Sequence, residues 1–356
     1  MSFAPTNTNI QEAVNQWCSN PRISPGVYSG VPIGSWDTSN VTNMNNLFNN
    51  KTSFNDDISG WNTSAVTDMS YMFYKCWAFN QDISTKDMGT YIAWNTSNVE
   101  NMSNMFNMND FTNIRGNWNN GDNAQAHTKP LKWNTSKVTN MSFMFRENRY
   151  FNQNCSTKEY TVGTGSVAIT YIAFDTSAVT TMQRTFAYCE SFNNGDDFGS
   201  SNQPLNWNTI SVTSMNYMFG IFNKLVDTGH YNQPMTSVEI TIGTGENAIT
   251  YTPWNMSAVT NMSVMFQLQP EFNQDLNSWN VSAVTTINDM FRGAASFNGD
   301  MSSWDVSAVT NMDWMFYGAT VFNGNISSWN VSAVTNMTLM FKNAPAFNQD
   351  LSSWNV

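Results

Sequence analysis

Apolar residues recur along this chain in one pattern, which repeats every 25 residues in its C-terminal third. Residues 304–328, WDVSAVTNMDWMFYGATVFNGNISS, are copied almost letter for letter by residues 279–303 and 329–353. Each copy opens with Trp, contains a Met-Phe pair and ends shortly after a Phe-Asn pair. A repeat of this length is typical of proteins in which each unit buries its apolar face only against its neighbours.

Two spacings inside each unit predict two short elements. The first is that of a leucine-rich-repeat strand, carried in the second unit by Ile58, Trp61, Thr63 and Val66. The second is the i, i+3, i+4, i+7 spacing of a helical turn, carried by Met69, Met72, Phe73 and Cys76. Asn80, in the Phe-Asn pair that follows, is suited to hydrogen-bonding turn backbone between units.

Unit starts define the predicted domains. They fall at Trp36, Trp61, Trp94, Trp133, Phe174, Trp207, Trp254, Trp279, Trp304 and Trp329. An eleventh unit opens at Trp354, so residues 36–356 are interpreted as one solenoid of ten full repeats plus a partial eleventh. Residues 1–35 are predicted to form an N-terminal helical cap, with a helix over residues 9–18 and an N-cap at Thr8 or Asn7. The predicted fold is a leucine-rich-repeat-like solenoid with one short parallel strand and one short helical turn per unit, plus β-hairpin insertions.

Insertions lengthen the middle units and are concentrated in residues 84–253. Residues 160–171 and 239–251 alternate β-branched residues around Gly-Thr-Gly, which predicts β-hairpins. One hypothesis is that the insertions form a ridge that contacts a partner. The candidate partner-binding residues are Tyr160, Thr164, Tyr171, His230, Tyr231, Thr244 and Tyr251. The alternative, left equally open, is that the insertions cover a sheet edge or pack on each other.

A column of small polar residues follows the unit-opening aromatic residues. Its members are Asn62, Asn95, Asn134, Asp175, Asn208, Asn255, Asn280, Asp305 and Asn330. The column is interpreted as the solvent face of the sheet; binding of a glycan to this polar sheet face is the alternative. The next position is Thr in the first six units and Met or Val afterwards, and the sequence offers no functional reason for that switch.

Charge and composition restrict the function further. The net charge of −11 disfavours nucleic acid as a partner, because nucleic-acid binding requires a basic patch. No apolar run is long enough for a membrane span, and the N-terminal residues show no signal peptide. Three cysteines occupy small apolar positions of the repeat, which predicts buried thiols at Cys76, Cys155 and Cys189.

The sequence contains no motif of a known enzyme class, and no nucleophile lies at a motif-like position relative to His127 or His230. We therefore expect neither enzymatic activity nor a cofactor. Carboxylates cluster with Asn and Gly at Asp56-Asp57, at residues 119–122 and at residues 193–197. A Ca²⁺ site is the alternative there to exposed turn residues, which is the favoured interpretation.

The repeat WNVSAVTNMxxMFxxAxxFNxDISS resembles that of the BspA-like leucine-rich-repeat surface proteins, whose module is also called the DUF285 or PARCEL repeat. Near-verbatim forms of the module are SNVTNM at residues 39–44 and NQPLNWNT at residues 202–209. The resemblance implies a solenoid of parallel strands and an extracellular, cell-surface or virion-surface protein, although no signal peptide is present. It implies a role in attachment or protein contact and no shared catalytic residues.

The predicted function is a non-enzymatic repeat scaffold for protein–protein contact, adhesion or surface assembly. The partner is expected to be another protein, or copies of the same chain bound through the C-terminal end, where the repeat breaks off at residue 356. A carbohydrate-binding module using the polar sheet face is the alternative function.

Overall fold

The computed structural model describes residues 3–19, 30–108, 118–122, 127–221 and 228–356. Parts of the predicted cap and of the insertions therefore lie outside the described residues. One α-helix, α1, spans Ile10–Trp17, and short 3₁₀ turns lie at Ile33–Ser35, Gly165–Val167 and Gly245–Asn247. The strands are β1 (Lys86–Asp87), β2 (Ile92–Ala93), β3 (Lys158–Val162), β4 (Ile169–Ala173), β5 (Ile240–Ile242) and β6 (Ile249–Tyr251). They pair antiparallel as β1–β2, β3–β4 and β5–β6.

The predicted leucine-rich-repeat solenoid is wrong. Within the described ranges, the sheets are three antiparallel pairs that all lie in the insertions, and no unit carries the expected parallel strand or helical turn. Consecutive units contact one another instead through isolated one-residue bridges, such as Asn43 to Asp68 and Asp68 to Asn101.

The expected helical turn fails to form because left-handed residues interrupt it. Tyr71 and Lys75 have φ of 57° and 55°. The backbone N–H of Met72 donates to Met69 O, three residues back, at 3.2 Å, whereas the N–H of Met69 donates to Asn101 O of the next unit at 3.0 Å. Alternate N–H groups thus bond within a unit and to the following unit. An α-helix requires every N–H to bond four residues back, so this pattern excludes it.

The first of these left-handed positions recurs in all ten units, with φ between 55° and 64°. We call this set the left-handed column; it consists of Asn46, Tyr71, Asn104, Phe143, Arg184, Tyr217, Val264, Asp289, Trp314 and Leu339. None is glycine, although glycine adopts this conformation at the lowest energetic cost.

Aromatic residues stack from unit to unit through the core. The rings of Trp279, Trp304 and Trp329 follow one another at 6.2 and 6.1 Å between centroids. The indole N–H of Trp304 also donates to Leu276 O at 2.9 Å, so the buried polar edge is satisfied. The methionines and phenylalanines of the repeat line the same continuous core, and the predicted burial of Cys76, Cys155 and Cys189 is confirmed.

A second ladder is made by one asparagine per unit, which follows Phe in eight units, Trp118 in the third and Tyr231 in the sixth. The side-chain Oδ1 of each accepts the backbone N–H of its counterpart in the next unit at 2.8–3.0 Å. The ladder runs through Asn55, Asn80, Asn119, Asn152, Asn193, Asn232, Asn273, Asn298, Asn323 and Asn348. The prediction that Asn80 bonds backbone between units is thus confirmed, and the ladder continues across the insertions.

Helix α1 lies where a helix was predicted, but its cap differs. The N-cap is Asn9, and no side chain caps the helix. Asn7 instead accepts the backbone N–H of Thr42 at 2.9 Å and donates to its hydroxyl at 2.7 Å. The side chain predicted to cap the helix therefore fastens this segment to the first unit.

The two predicted hairpins are confirmed as β3–β4 and β5–β6, and β1–β2 is a third hairpin that was not predicted. They pack on one another: a Cβ at Gly243 would lie 2.7 Å from the Ile172 side chain, and Thr244 Oγ1 donates to Glu159 Oε2 at 3.1 Å. Likewise, a Cβ at Gly163 would lie 3.0 Å from the Ile92 side chain. This close approach explains why glycine is required in the turns.

The left-handed column gives opposite stability orders for a turn and for a helix. At exposed Leu339, with φ of 57°, we expect Leu339→Gly to be more stable than Leu339→Ala by about 1 kcal/mol, since only Ala carries the left-handed penalty. In a helix, Ala would be the more stable by about 1 kcal/mol. Urea unfolding of the two variants measures the difference, and a more stable Ala variant would contradict the turn assignment.

Removal of one rung tests the asparagine ladder. Asn193 is fully buried; it accepts from Asn232 N–H at 2.9 Å and donates to Asp197 O at 2.7 Å. We expect Asn193→Ala to destabilise the protein by about 2–4 kcal/mol, because buried backbone groups lose their partners. The exposed Asn348→Ala is the control and should change the free energy of unfolding by less than about 0.5 kcal/mol. Equal effects of the two substitutions on urea unfolding would refute the role of the ladder.

Candidate interaction surface

The predicted partner-binding residues of the insertions differ in their exposure to solvent. Tyr171 and Tyr251 are each 8 % exposed and Tyr231 is 1 % exposed. Tyr160 and His230 are half-buried, with the His230 ring stacked 4.0 Å from that of Phe198. The exposed members are Thr164 and Thr244. The structure therefore does not bring the seven residues together on one accessible ridge.

The hairpin tyrosines join the insertions to the repeat units. The Tyr251 hydroxyl donates to Asn206 O at 2.6 Å, the Tyr91 hydroxyl donates to Gly60 O at 2.5 Å, and the Tyr171 hydroxyl donates to a backbone carbonyl in the same way. Burial raises the pKa of Tyr171 and of Tyr251 to about 12. These contacts show that the aromatic residues anchor the hairpins.

The column of small polar residues does not lie on a sheet. Each side-chain Oδ1 accepts the backbone N–H two residues later, at 3.0–3.2 Å, in a local turn. The column is half-buried from Asn62 to Asn255 and exposed from Asn280 onwards. Asn and Asp are the residues that make such turns, so backbone geometry accounts for their recurrence.

The switch from Thr to Met or Val occurs at the position after this column, and the contacts of these side chains differ. In the first six units the threonine hydroxyl is buried and donates to the backbone carbonyl of the polar column in the next unit, at 2.7–2.9 Å. The donors are Thr38, Thr63, Thr96, Thr135, Thr176 and Thr209. Met256, Val281, Val306 and Val331 replace this bond with apolar packing.

The left-handed column carries varied side chains, and all of them except the buried Val264 are half-buried or exposed. We define the arginine–aromatic patch as Phe143, Arg146, Arg184, Tyr188 and Tyr217. The guanidinium of Arg184 lies 4.5 Å from the Tyr217 ring centroid and 5.4 Å from that of Phe143. The Arg146 guanidinium lies 5.7 Å from the Tyr188 ring. Burial raises the Tyr188 pKa, so its hydroxyl stays protonated well into the alkaline range.

A similar group occurs on the same face four units further along. We call it the tryptophan patch, and it comprises Asp289, Arg292, Trp314, Tyr317 and Lys342. The Arg292 guanidinium lies 4.4 Å from the Trp314 ring centroid and 5.4 Å from that of Tyr317. The Trp314 and Tyr317 rings lie 4.6 Å apart. Arg292 contacts two rings of the following unit, so the stacking of the units creates the patch.

The arginines of the two patches differ in their ion pairs. Arg146 Nη2 lies 2.7 Å from Glu147 Oε1, and Arg292 Nη1 lies 3.0 Å from Asp289 Oδ1. Within the described part of the chain, Arg184 forms no ion pair, and its buried Nε has no hydrogen-bond partner. Arg184 thus has charge and donors that its own chain does not use.

The carboxylates considered for Ca²⁺ bond to protein groups. Asp122 Oδ2 and Asp196 Oδ2 each accept a backbone N–H at 2.7 Å, and Asp56 Oδ2 accepts the Trp17 indole N–H at 2.7 Å. Hydrogen bonds from Ser59 lower the pKa of Asp57. No three His, Cys, Asp or Glu residues of the described ranges are grouped so that they could hold a metal ion.

A cavity of about 410 Å³ lies between the first unit and the β1–β2 connection. Its walls include Asp37, Asn62, Thr90 and Tyr91. It contains no group of catalytic residues. Of the helices that the structure describes, none has the length and apolar character that crossing a bilayer requires.

Sequence reasoning missed the left-handed column. The available signal was the position ten residues after each opening aromatic, which varies among Tyr, Asn, Phe, Arg, Val, Asp, Trp and Leu. Variation of this kind in a regular repeat indicates a side chain that the stacked core does not constrain.

A family model described as "Mycoplasma protein of unknown function, DUF285" matches residues 27–129, 122–197 and 241–354. Neither the curated proteins nor the solved structures contain a match to this chain.

The pH dependence of stability tests whether Tyr251 anchors its hairpin. Its folded-state pKa of about 12 is above the ordinary value of 10, so its contribution to stability is present below pH 10 and is lost as the pH rises towards 12. We expect Tyr251→Phe to reduce stability at pH 8 by about 1 kcal/mol, through loss of the hydroxyl bond, and to weaken the decline above pH 10. Tyr71→Phe, at an exposed site, is the control for urea unfolding across this pH range. An unchanged decline in the Tyr251 variant would contradict the assignment.

Proposed function

We propose that this chain, which belongs to the DUF285 family, is a non-enzymatic scaffold that binds another protein through the face formed by its left-handed column. The arginine–aromatic patch and the tryptophan patch are the two contact regions on that face. The proposal extends the predicted role in protein contact and assigns it to a surface that the hairpins do not form.

The observation that supports this proposal most strongly is the placement of large side chains at left-handed backbone positions. A non-glycine residue there costs roughly 1–2 kcal/mol relative to an ordinary conformation. Phe143, Tyr217 and Trp314 nevertheless occupy these positions with their side chains half-exposed. Since burial in the core does not explain these residues, binding is the function that accounts for retaining them.

The residue types on this face also suit a protein interface. Tyr, Trp and Arg are the residues most enriched among those that dominate binding energy. Their stacking in the two patches holds Arg184 and Arg292 in place before a partner arrives. This arrangement reduces the side-chain entropy that would be lost on binding.

The alternative, carbohydrate binding through the polar column, has less support. A sugar-binding site needs polar atoms that are available to hydroxyl groups, but the Oδ1 atoms of that column already accept backbone N–H groups. No specific contact favours a glycan at that column over solvent.

A partner-capture experiment followed by affinity measurement tests the proposal. The chain is immobilised, proteins from its source organism are applied, and each captured protein is identified, purified and titrated by calorimetry. We expect Tyr217→Ala and Trp314→Ala each to weaken binding about tenfold or more, because each removes an exposed aromatic contact. The matched control is Phe198→Ala, which removes a more exposed aromatic residue (53 %) from an insertion.

Unfolding curves that remain close to the wild type separate lost contacts from lost folding. Binding that tolerates both column substitutions but is abolished by Phe198→Ala would refute the proposed face. A glycan array that binds the chain where no protein partner does would favour the carbohydrate alternative.

A further inference from the structure

We propose that Arg184 is a carboxylate-binding residue, and that the arginine–aromatic patch therefore recognises an acidic segment of a protein partner. The inference rests on the proposed protein-binding function and names the chemistry of the partner. It is carried by the geometry around one guanidinium group.

The guanidinium of Arg184 lies between two rings. Phe143, Arg184 and Tyr217 occupy the same position in three consecutive units, and the guanidinium lies 5.4 Å from one ring centroid and 4.5 Å from the other. Aromatic faces attract a guanidinium through their electron density and leave its N–H donors pointing around the edge. The pair of rings thus restricts the positions that the Arg184 guanidinium can take.

The charge of Arg184 is not used within its own chain. Three neighbouring or equivalent arginines have carboxylate partners: Arg146 with Glu147 at 2.7 Å, Arg149 with Glu190 at 2.7 Å and Arg292 with Asp289 at 3.0 Å. Across the described ranges Arg184 has no such partner, although its surroundings are partly desolvated. A carboxylate that pairs with two guanidinium N–H groups forms the strongest type of hydrogen-bonded contact available to this residue.

The setting favours an acidic peptide over nucleic acid. A chain with net charge −11 lacks the extended basic surface that nucleic acid requires. One unpaired guanidinium between the rings of Phe143 and Tyr217 instead matches a carboxylate side chain with apolar neighbours. Tyr188, whose pKa is raised by burial, adds a neutral hydroxyl donor beside that position.

Titration with a defined acidic peptide tests this assignment. The probe is a synthetic oligoglutamate peptide, with oligoglutamine of the same length as the uncharged control, and the readout is calorimetric affinity for the full chain. We expect Arg184→Lys to weaken oligoglutamate binding about 10-fold or more, because Lys keeps the charge but loses the planar pair of donors and the stacking. Arg149→Lys is the matched control, since that guanidinium already pairs with Glu190 and lies outside both patches, and we expect less than about a twofold change.

Three results would overturn the inference: no oligoglutamate binding by the wild type, equal affinity of oligoglutamine, or equal effects of Arg184→Lys and Arg149→Lys. Binding of a glucuronate saccharide in place of the peptide would also overturn it. The melting temperature of Arg184→Lys verifies that the fold is intact. The proposed function fails independently, because its own test uses Tyr217→Ala and Trp314→Ala with a captured partner and needs no acidic probe.

Discussion

The constraint that governs this structure is that a repeat unit can satisfy only part of its backbone hydrogen bonding by itself. Left-handed residues such as Tyr71 turn alternate N–H groups towards the next unit, as in the bond from Tyr71 N–H to Ser103 O at 3.0 Å. Those groups are paired only when another unit lies beside them. The hydrogen bonding of the backbone alone therefore requires the units to stack. The aromatic rings and the asparagine ladder then follow the spacing that these bonds set, with successive core tryptophans about 6 Å apart.

This constraint divides each unit into positions that must repeat and positions that need not. Inward positions touch the same position of both neighbours, so a change at one rung disturbs two contacts. The asparagine of the Phe-Asn pair is restricted in the same way, because its side chain and its backbone serve different neighbours. Insertions are tolerated between these asparagines, since Asn193 and Asn232 still bond at 2.9 Å across a 39-residue separation. From Asn46 to Trp314, the left-handed column bonds to the following unit through its backbone N–H groups, so its side chains are left to vary.

Part of this arrangement was readable from the sequence. The repeat, its core positions, helix α1 and two hairpins follow from residue spacing, because burial imposes a period whatever the backbone does. The class of fold was mispredicted because Met69, Met72, Phe73 and Cys76 have the same spacing in a helix and in this succession of turns. A left-handed backbone position is usually indicated by a glycine in the sequence. The tyrosine at position 71 gives no such indication. The hairpin tyrosines were misleading for a related reason: an aromatic residue in a loop suggests a contact surface, whereas the hydroxyl of Tyr251 bonds to Asn206 of its own chain.

The same backbone that hides the left-handed column also makes it suitable for recognition. Nine of the ten column residues, from Asn46 to Trp314, donate their backbone N–H to the following unit, so their strained φ cannot relax without breaking an inter-unit contact. The direction of each side chain is consequently fixed, and residues of consecutive units project as a row. In such a row a side chain contacts those of the units on either side, as Arg184 contacts Phe143 and Tyr217. A change of one residue at this position alters the surface without disturbing the core. The repeat thus assigns stability and recognition to different positions. The contacts between stacked units offset the free-energy cost of the left-handed backbone.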